Sequence, residues 1–324
     1  MPCYHPLNGW RSRLPNENGR KPVVVLPKGK KPDKLEFFDP MQLPCGNCWG
    51  CRLERSRQWA LRCLHESTLH EFNCFITLTY NDEHIPLIGD KERVWSTLRM
   101  RDFQLFMKRL RKNVGQCRFF HCGEYGSKNG RPHYHAIIFG LDFRQHGRVT
   151  LLRRKSDFKE PLWRSSVLDG LWSDPDSGEP LGHASVGSCT FKSAAYCARY
   201  IMEKANGELA DERYDRICSS TGEVFRLQPE YTTMSRRPGI GQGWFKRYWQ
   251  DAYPSDCINV DGQRMRPPKY YDQLFEDLKP LDLVDVKKKR LAKLMENAED
   301  NTPERLAVRE EVAKARTRNL RRDL

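Results

Sequence analysis

Residues 131–140 have the sequence RPHYHAIIFG, in which His133 and His135 alternate with apolar side chains. This alternation, followed by β-branched and aromatic residues, is typical of a β-strand. Residues two apart in a strand point to the same face of a sheet, so the two imidazoles should stand side by side. The stretch therefore predicts a strand that presents two potential metal ligands together.

A second strand is predicted directly before the first, over residues 118–126 with the sequence RFFHCGEYG. The four residues between the two strands, SKNG, have turn chemistry. If they close a hairpin, Glu124 lies opposite His133 and on the same face. Two imidazoles and a carboxylate would then form a divalent-metal site with open positions. A His-x-His pair by itself is as typical of strand histidines that bind no metal as it is of a metal site. The metal-site interpretation therefore depends on further motifs.

One such motif is a predicted helix at residues 191–207, FKSAAYCARYIMEKANG. Alanine, methionine, glutamate and lysine favour a helix, and the final Asn-Gly favours its end. Tyr196 and Tyr200 are four residues apart and share one helical face, with Lys204 one turn further on. Tyrosines at this spacing more often pack in a core than react. A phenol with its ordinary pKa of about 10 attacks phosphate only when it is positioned and assisted electrostatically, as by a metal ion.

Three motifs follow each other in the order FITLTY (residues 75–80), HYH (133–135) and YCARY (196–200). In this order they resemble the motifs of HUH endonucleases, which initiate rolling-circle replication. Further stretches resemble replication initiators of the gokushovirus branch of the Microviridae: MPCYHP at residues 1–6, PCGNCWGC at 44–51, GEYG at 123–126 and MSRRPGIG at 234–241. The resemblance covers residues 1–253.

The expected fold is α+β. The resemblance implies a small antiparallel-sheet HUH core of the RRM/ferredoxin-like type with helices on one face. The cysteine spacing adds an N-terminal zinc-knuckle segment, and the strongly charged, helix-prone composition of residues 283–324 adds a C-terminal helical tail. We therefore predict a Cys-rich segment at residues 1–64, an HUH endonuclease domain at 65–253, and a basic linker with a helical tail at 254–324. Residues 1 to about 44 show little periodicity and predict extended or looped structure. Residues 142–185 are too long for an ordinary connection and predict an inserted loop or subdomain.

The resemblance also implies a reaction. Tyr196 or Tyr200 would attack a phosphodiester of single-stranded origin DNA and leave a 5′-phosphotyrosine and a free 3′-OH. Glu124 and the two histidines would hold Mg²⁺ or Mn²⁺, and Lys204 would belong to the catalytic set. Related motifs often carry lysine just before the second tyrosine, where this chain has Arg199, which is expected to contact phosphate with a different geometry.

The charge of the chain suits a DNA partner, since 56 Lys and Arg face 42 Asp and Glu for a net charge of +14. Arg236 and Arg237 lie in a Pro/Gly-bounded turn that presents guanidiniums to phosphates or bases.

A host polymerase would extend the 3′-OH. Unwinding is assigned to a host helicase because no Walker-type loop is visible. No stretch is typical of a signal peptide or a membrane span, so the expected location is the host bacterial cytoplasm.

A cysteine cluster is predicted at CGNCWGC, residues 45–51. Its members are Cys45, Cys48 and Cys51. Such knuckles suit tetrahedral Zn²⁺, because a short loop aims two thiolates at one ion. Cys3 is the preferred fourth ligand, with His5 and Cys63 as alternatives. An iron–sulfur cluster or unligated thiols are competing interpretations.

Three alternatives to a two-tyrosine nickase remain open at this point. The first is a nickase that uses one tyrosine while the other packs. The second is a non-enzymatic, zinc-containing DNA-binding regulator in which His133 and His135 are structural and positive charge binds the DNA. The third is a nuclease that uses metal-activated water.

Overall fold

The computed structural model describes residues 3–19, 21–27, 29–34, 37–126, 129–154, 160–174, 176–199, 208–253 and 255–317. Two compact units divide the chain. Among the described residues, the first combines those up to Arg55 with Lys287 to Thr317, and the second comprises Ser56–Val286. None of the described helices has the length and apolar composition needed to cross a bilayer.

The described strands are β1 (Leu7–Ser12), β2 (Val23–Val25), β3 (Phe38–Leu43), β4 (Asn73–Thr79), β5 (Leu87–Gly89), β6 (Val94–Ser96), β7 (Arg118–Tyr125), β8 (Pro132–Phe139), β9 (Val149–Arg153), β10 (Leu162–Ser165), β11 (Ala184–Ser188), β12 (Asp215–Ile217), β13 (Val224–Arg226), β14 (Tyr231–Met234), β15 (Ile258–Val260) and β16 (Gln263–Met265). The described helices are α1 (Trp49–Ser67), α2 (Met100–Asn113), α3 (Ser166–Leu171), α4 (Phe191–Arg199), α5 (Glu208–Tyr214), α6 (Gln242–Ala252), α7 (Lys269–Leu278), α8 (Pro280–Glu296) and α9 (Pro303–Thr317).

The second unit is built on an antiparallel sheet that has seven strands within the described residues, in the order β14-β7-β8-β4-β11-β10-β9. The predicted hairpin is confirmed, because β7 pairs with β8 and Glu124 is the direct partner of His133. The FITLTY motif has the β-branched and aromatic composition of a strand, and most of it lies in β4, which pairs with the other edge of β8. The histidine strand therefore lies inside the sheet, between two neighbours.

Helices cover both faces of this sheet, so the prediction of helices on one face was wrong. On one face, α2 packs with Phe106 against β8 residues such as Tyr134 and Ile138. On the other face, α1 and α4 pack against Ile137 and Phe139 of the same strand. The reason is that β8 is apolar on both faces beyond its histidines, and a strand of that composition must be covered twice.

Residues 142–185 do not form the predicted inserted loop or subdomain. Their strands β9 and β10 extend the main sheet, and α3 packs on its face. Trp172 is fully buried, and its indole Nε1 donates a hydrogen bond to the Thr79 carbonyl at 2.8 Å. This region is part of the core because its apolar residues, although widely spaced, converge once β10 pairs with β11.

In the first unit, part of the segment predicted as extended or looped forms three strands. β1 pairs on its two sides with β2 and β3 in an antiparallel three-stranded sheet. Its buried cluster joins Tyr4, Cys48 and Cys51 to Leu306 of α9. The C-terminal helix α9 is therefore packed within this unit. The predicted domain boundaries stay predictions.

The second unit has a further apolar cluster, formed by α1, α6 and α7. His65 stacks against Trp244 with ring centroids 3.6 Å apart, and its Nδ1 lies 2.9 Å from the Tyr271 hydroxyl. Arg62 of the same helix is packed against the rings of Trp59 and Tyr270, each 4.0 Å from its guanidinium carbon. Arg62 and His65 of α1 therefore pack within this cluster, and Arg62 does so although it carries a positive charge.

Candidate active site

The β7–β8 hairpin brings Glu124, His133 and His135 together on one face of the sheet. Their ligand atoms all lie within 4.8 Å of one another. The Nε2 atoms of His133 and His135 are 2.5 and 3.0 Å from the same carboxylate oxygen, Glu124 Oε1. Glu124 and His135 are almost fully buried, whereas His133 keeps partial exposure. The predicted metal triad is thus assembled at the partly open end of the hairpin.

The remaining imidazole nitrogens are held from outside the triad. His135 Nδ1 lies 2.9 Å from Thr77 Oγ1 on β4, the direct strand partner of His135. His133 Nδ1 lies 3.1 Å from the carbonyl oxygen of Arg131. A proton on each Nδ1 leaves the Nε2 lone pairs free to bind a cation. These contacts orient both rings toward Glu124.

The sequence interpretation missed Thr77 and Phe75 as parts of the site. Phe75 stacks on the His135 ring with centroids 5.4 Å apart. Both residues alternate along FITLTY, which was a signal that they share one face. The face could be matched to His135 only once the pairing of β4 with β8 was known.

The electrostatics of the triad suit a cation. Burial raises the pKa of Glu124, but the charge of His135 and the hydrogen bond to His133 outweigh it, so the carboxyl pKa is lowered. Burial lowers the pKa of His135 more than Glu124 raises it, whereas for His133 the contact with Glu124 prevails over burial and raises the pKa. Glu124 Oε2 is buried and has no hydrogen-bond partner among the described residues. An anionic oxygen without a donor, beside two imidazole nitrogens, fits a divalent ion such as Mg²⁺ or Mn²⁺.

Helix α4 places Tyr196 beside the triad of Glu124, His133 and His135. The helix packs on the triad's face of the sheet through its residues Ala194, Cys197 and Ala198. The Tyr196 ring meets the His135 ring edge to face, with centroids 5.0 Å apart and an interplanar angle of 89°. Tyr196 is 7% exposed. A phenol and the imidazoles thus share one side of the sheet.

The structure does not describe the other predicted members of the tyrosine motif. Tyr200 and Lys204 lie outside the described residues. Arg199 is the last described residue of α4, and its side chain is likewise outside the description. Their roles stay predictions.

The arginine turn follows β14, which pairs with β7 on the side away from β8. Arg236 and Arg237 are exposed. The turn is anchored on both sides of them: Ser235 exchanges hydrogen bonds with the backbone of Phe119, and the Pro238 carbonyl accepts one from Arg118 at 2.6 Å. Two guanidiniums are therefore presented to solvent from a fixed backbone.

The four predicted zinc ligands come together in the first unit. The sulfur atoms of Cys3, Cys45, Cys48 and Cys51 all lie within 4.8 Å of one another. The two alternative ligands are placed elsewhere. His5 Nε2 lies 2.7 Å from Glu310 Oε2, and Cys63 is buried in the apolar core of the second unit.

Comparison with known sequences places these features in context. The sequence model of the family described as "Replication-associated protein ORF2/G2P" matches residues 73–205. The chain is 30% identical over 270 residues to "Replication-associated protein VP4" of Bdellovibrio phage phiMH2K, covering 79% of this chain and 74% of that protein. It is 29% identical over 268 residues to "Replication-associated protein ORF2" of Spiroplasma virus 4, with coverage of 78% and 74%. It is 27% identical over 241 residues to "Replication-associated protein ORF4" of Chlamydia phage 1, with coverage of 73% and 54%. No solved structure matches significantly.

Proposed function

The chain belongs to the family of phage replication-associated proteins, and on that premise we propose that it initiates rolling-circle replication as a metal-dependent HUH nickase that uses a tyrosine nucleophile. The observation that carries the proposal is the contact of Tyr196 with His135, whose ring centroids are 5.0 Å apart. This contact supports a common cavity for a phenol and the buried Glu124–histidine triad. In the proposal, the sheet and α4 form the HUH-type core.

Glu124, His133 and His135 would hold the divalent ion, Mg²⁺ or Mn²⁺. When bound, such an ion polarises the scissile phosphate and stabilises its developing negative charge. The chain's own part is positioning. Thr77 and the Arg131 carbonyl keep both Nε2 atoms directed at the site, and the packing of α4 on the sheet brings the Tyr196 ring to the same place.

In the proposed step, a tyrosine oxygen bonds to phosphorus while the bond from phosphorus to the 3′ oxygen breaks. The phenolic proton is lost, the 3′ oxygen gains a proton, and the 5′ phosphate stays on the enzyme as phosphotyrosine. Attack of a 3′-OH on that linkage reverses the step and rejoins strands, because the phosphodiester energy is retained. Tyr196 and Tyr200 are the candidate nucleophiles, and the second would cleave the regenerated origin. Arg199 and Lys204 would contact the scissile phosphate.

Single-stranded origin DNA is the proposed substrate. The net charge of +14 supports binding to a polyanion, and the anchored turn with exposed Arg236 and Arg237 offers phosphate contacts. The free 3′-OH would be extended by a host polymerase after a host helicase unwinds the duplex. The proposed setting is the cytoplasm of the infected bacterium.

The proposal is tested by incubating the protein with a labelled single-stranded oligonucleotide pool and Mn²⁺, then boiling in detergent. A detergent-stable adduct is expected, and it should require His133 and His135. Tyr196→Phe and Tyr200→Phe are compared with Tyr248→Phe, which removes the hydroxyl of an exposed tyrosine on α6.

Each outcome of this experiment has a distinct meaning. Loss of the adduct in only one of Tyr196→Phe and Tyr200→Phe identifies a nickase whose first attack is restricted to one tyrosine. Cleavage without an adduct would indicate metal-activated water and overturn the tyrosine step. Binding with neither cleavage nor adduct would favour the zinc-containing DNA-binding regulator instead.

A further inference from the structure

The cysteine cluster of the first unit has the dimensions of a tetrahedral metal site. Zn–S bonds of about 2.3 Å place the sulfurs of a regular tetrahedron about 3.8 Å apart. Here the sulfurs of Cys3 and Cys48 are 4.0 Å apart, and all four lie within 4.8 Å of one another. All four are free thiols. An iron–sulfur cluster would insert inorganic sulfide among its thiolates and hold them farther apart, so the spacing favours a single ion.

Backbone amides point at the sulfurs. The amide of Cys45 donates to Cys3 Sγ at 3.2 Å, and the amide of Cys48 donates to Cys45 Sγ at 3.3 Å. The amide of Tyr4 donates to Cys48 Sγ at 3.4 Å. Hydrogen bonds to ligand atoms orient them and reduce the repulsion among thiolates that share one ion. The loop backbone is thus arranged around the sulfur atoms.

The first unit has little other material for a core. Among its described residues, the buried apolar side chains are the cysteines Cys48 and Cys51 together with Tyr4 and Leu306. A unit of this size with so few buried apolar groups is marginal without a metal or cross-links. Bound metal would therefore supply much of its folding free energy.

Helix α9 contacts both segments that carry the cysteines. Beside Cys3, His5 Nε2 lies 2.7 Å from Glu310 Oε2, and beside Cys48, the Trp49 indole donates to Thr317 Oγ1 at 2.9 Å. Leu306 and Ala313 pack against the cluster itself. Helix α9 therefore contacts the residues that flank the four cysteines.

We propose that Cys3, Cys45, Cys48 and Cys51 bind one structural Zn²⁺ ion, and that this ion holds α9 in place. The proposal does not rest on the nicking chemistry. It assigns the C-terminal helix to the zinc-bound unit and gives the ion a structural role, since four protein ligands leave no open position for a substrate.

The first test counts and identifies the metal in the full-length chain. About one equivalent of tightly held zinc per chain is expected. Replacing it with Co²⁺ should give the sulfur-to-cobalt charge-transfer band, which imidazole and carboxylate ligands do not produce. Each bound thiolate contributes to this band, so the variant that carries both Cys45→Ser and Cys48→Ser should lose most of the band or fail to hold Co²⁺, whereas the control Cys257→Ser, which changes a thiol of the second unit, should keep it in full. A band of wild-type intensity in the double variant, or iron and inorganic sulfide in place of zinc, overturns the proposal.

The second test needs no variant that could fail to fold. Hydrogen exchange of the wild-type chain is measured before and after removal of zinc with a chelator. Residues 303–317 should lose protection when zinc is removed and regain it when zinc is returned, while the β7–β8 hairpin stays protected. Unchanged protection of residues 303–317 would overturn the link between the ion and α9. Neither measurement depends on DNA cleavage, so each can fail while the nickase proposal stands.

Discussion

Replacing Thr77 with valine should weaken metal binding without removing a metal ligand. Thr77 Oγ1 lies 2.9 Å from His135 Nδ1, and the opposite nitrogen of that ring faces Glu124 at 3.0 Å. Valine keeps the shape of threonine but leaves Nδ1 as a buried polar atom without this partner, which costs about 1–3 kcal/mol. At about 1.4 kcal/mol per factor of ten, this corresponds to roughly 5- to 150-fold. Outer-shell partners of metal ligands typically contribute about 10- to 100-fold, in the same range.

The assay is a Mn²⁺ titration of detergent-stable adduct formation, with the dissociation constant of Mn²⁺ measured separately by calorimetry. Thr77→Val should shift the midpoint to higher Mn²⁺ and recover most of the adduct at saturation. The control is Thr79→Val on the same strand and face, because the Thr79 hydroxyl donates to the His183 carbonyl at 3.0 Å and not to a histidine ring. Equal Mn²⁺ affinity in Thr77→Val and wild type, with an unchanged circular dichroism spectrum, would refute the positioning argument. So would an equal loss in Thr79→Val.

Trp172→Ala should lower the free energy of unfolding by about 3–5 kcal/mol in urea titrations, because it empties a fully buried site; a loss below about 1 kcal/mol would suit a surface loop. Burial lowers the pKa of His65 to about 3, whereas the unfolded imidazole protonates near its ordinary 6.5. The contribution of neutral His65 is therefore complete above pH 6.5 and lost as the pH falls toward 3. His65→Phe should flatten this part of the pH profile of unfolding free energy, and an unchanged slope would contradict the assignment. Arg236→Ala should weaken single-stranded DNA binding and reduce the slope of log K against log salt by about 0.7, which Arg236→Lys should restore in fluorescence anisotropy; an unaltered slope would exclude a phosphate contact.

Local sequence was sufficient to predict the hairpin and its register. The alternation of HYH and the four-residue turn place Glu124 opposite His133, as found. Residues 101–112 carry Phe103, Phe106, Met107 and Leu110 at helical spacing, a pattern typical of an amphipathic helix. The structure has this helix at Met100–Asn113, with those four residues buried. In both cases the interacting residues are close in the chain.

Short strands and edge positions were not predictable in this way. β9 and β10 have five and four residues, and β1–β3 of the first unit lie within a Pro- and Gly-rich part of the sequence. Strands this short become stable only when a partner strand supplies hydrogen bonds. Their formation depends on neighbours that are distant in sequence, which explains why residues 142–185 were misinterpreted as an insertion.

By itself, the sequence determined which residues point the same way: His133 with His135 along a strand, and Tyr196 with Tyr200 if the helix continues past α4. These relations follow from backbone periods of two and about 3.6 residues, which need no partner. Only the tertiary structure decided that β4 lies beside β8, that Thr77 reaches His135, and that α4 covers the face with the imidazoles and not the face with Tyr134. Both faces of β8 are apolar enough to be buried, so the choice between them depends on how all the helices and strands pack together.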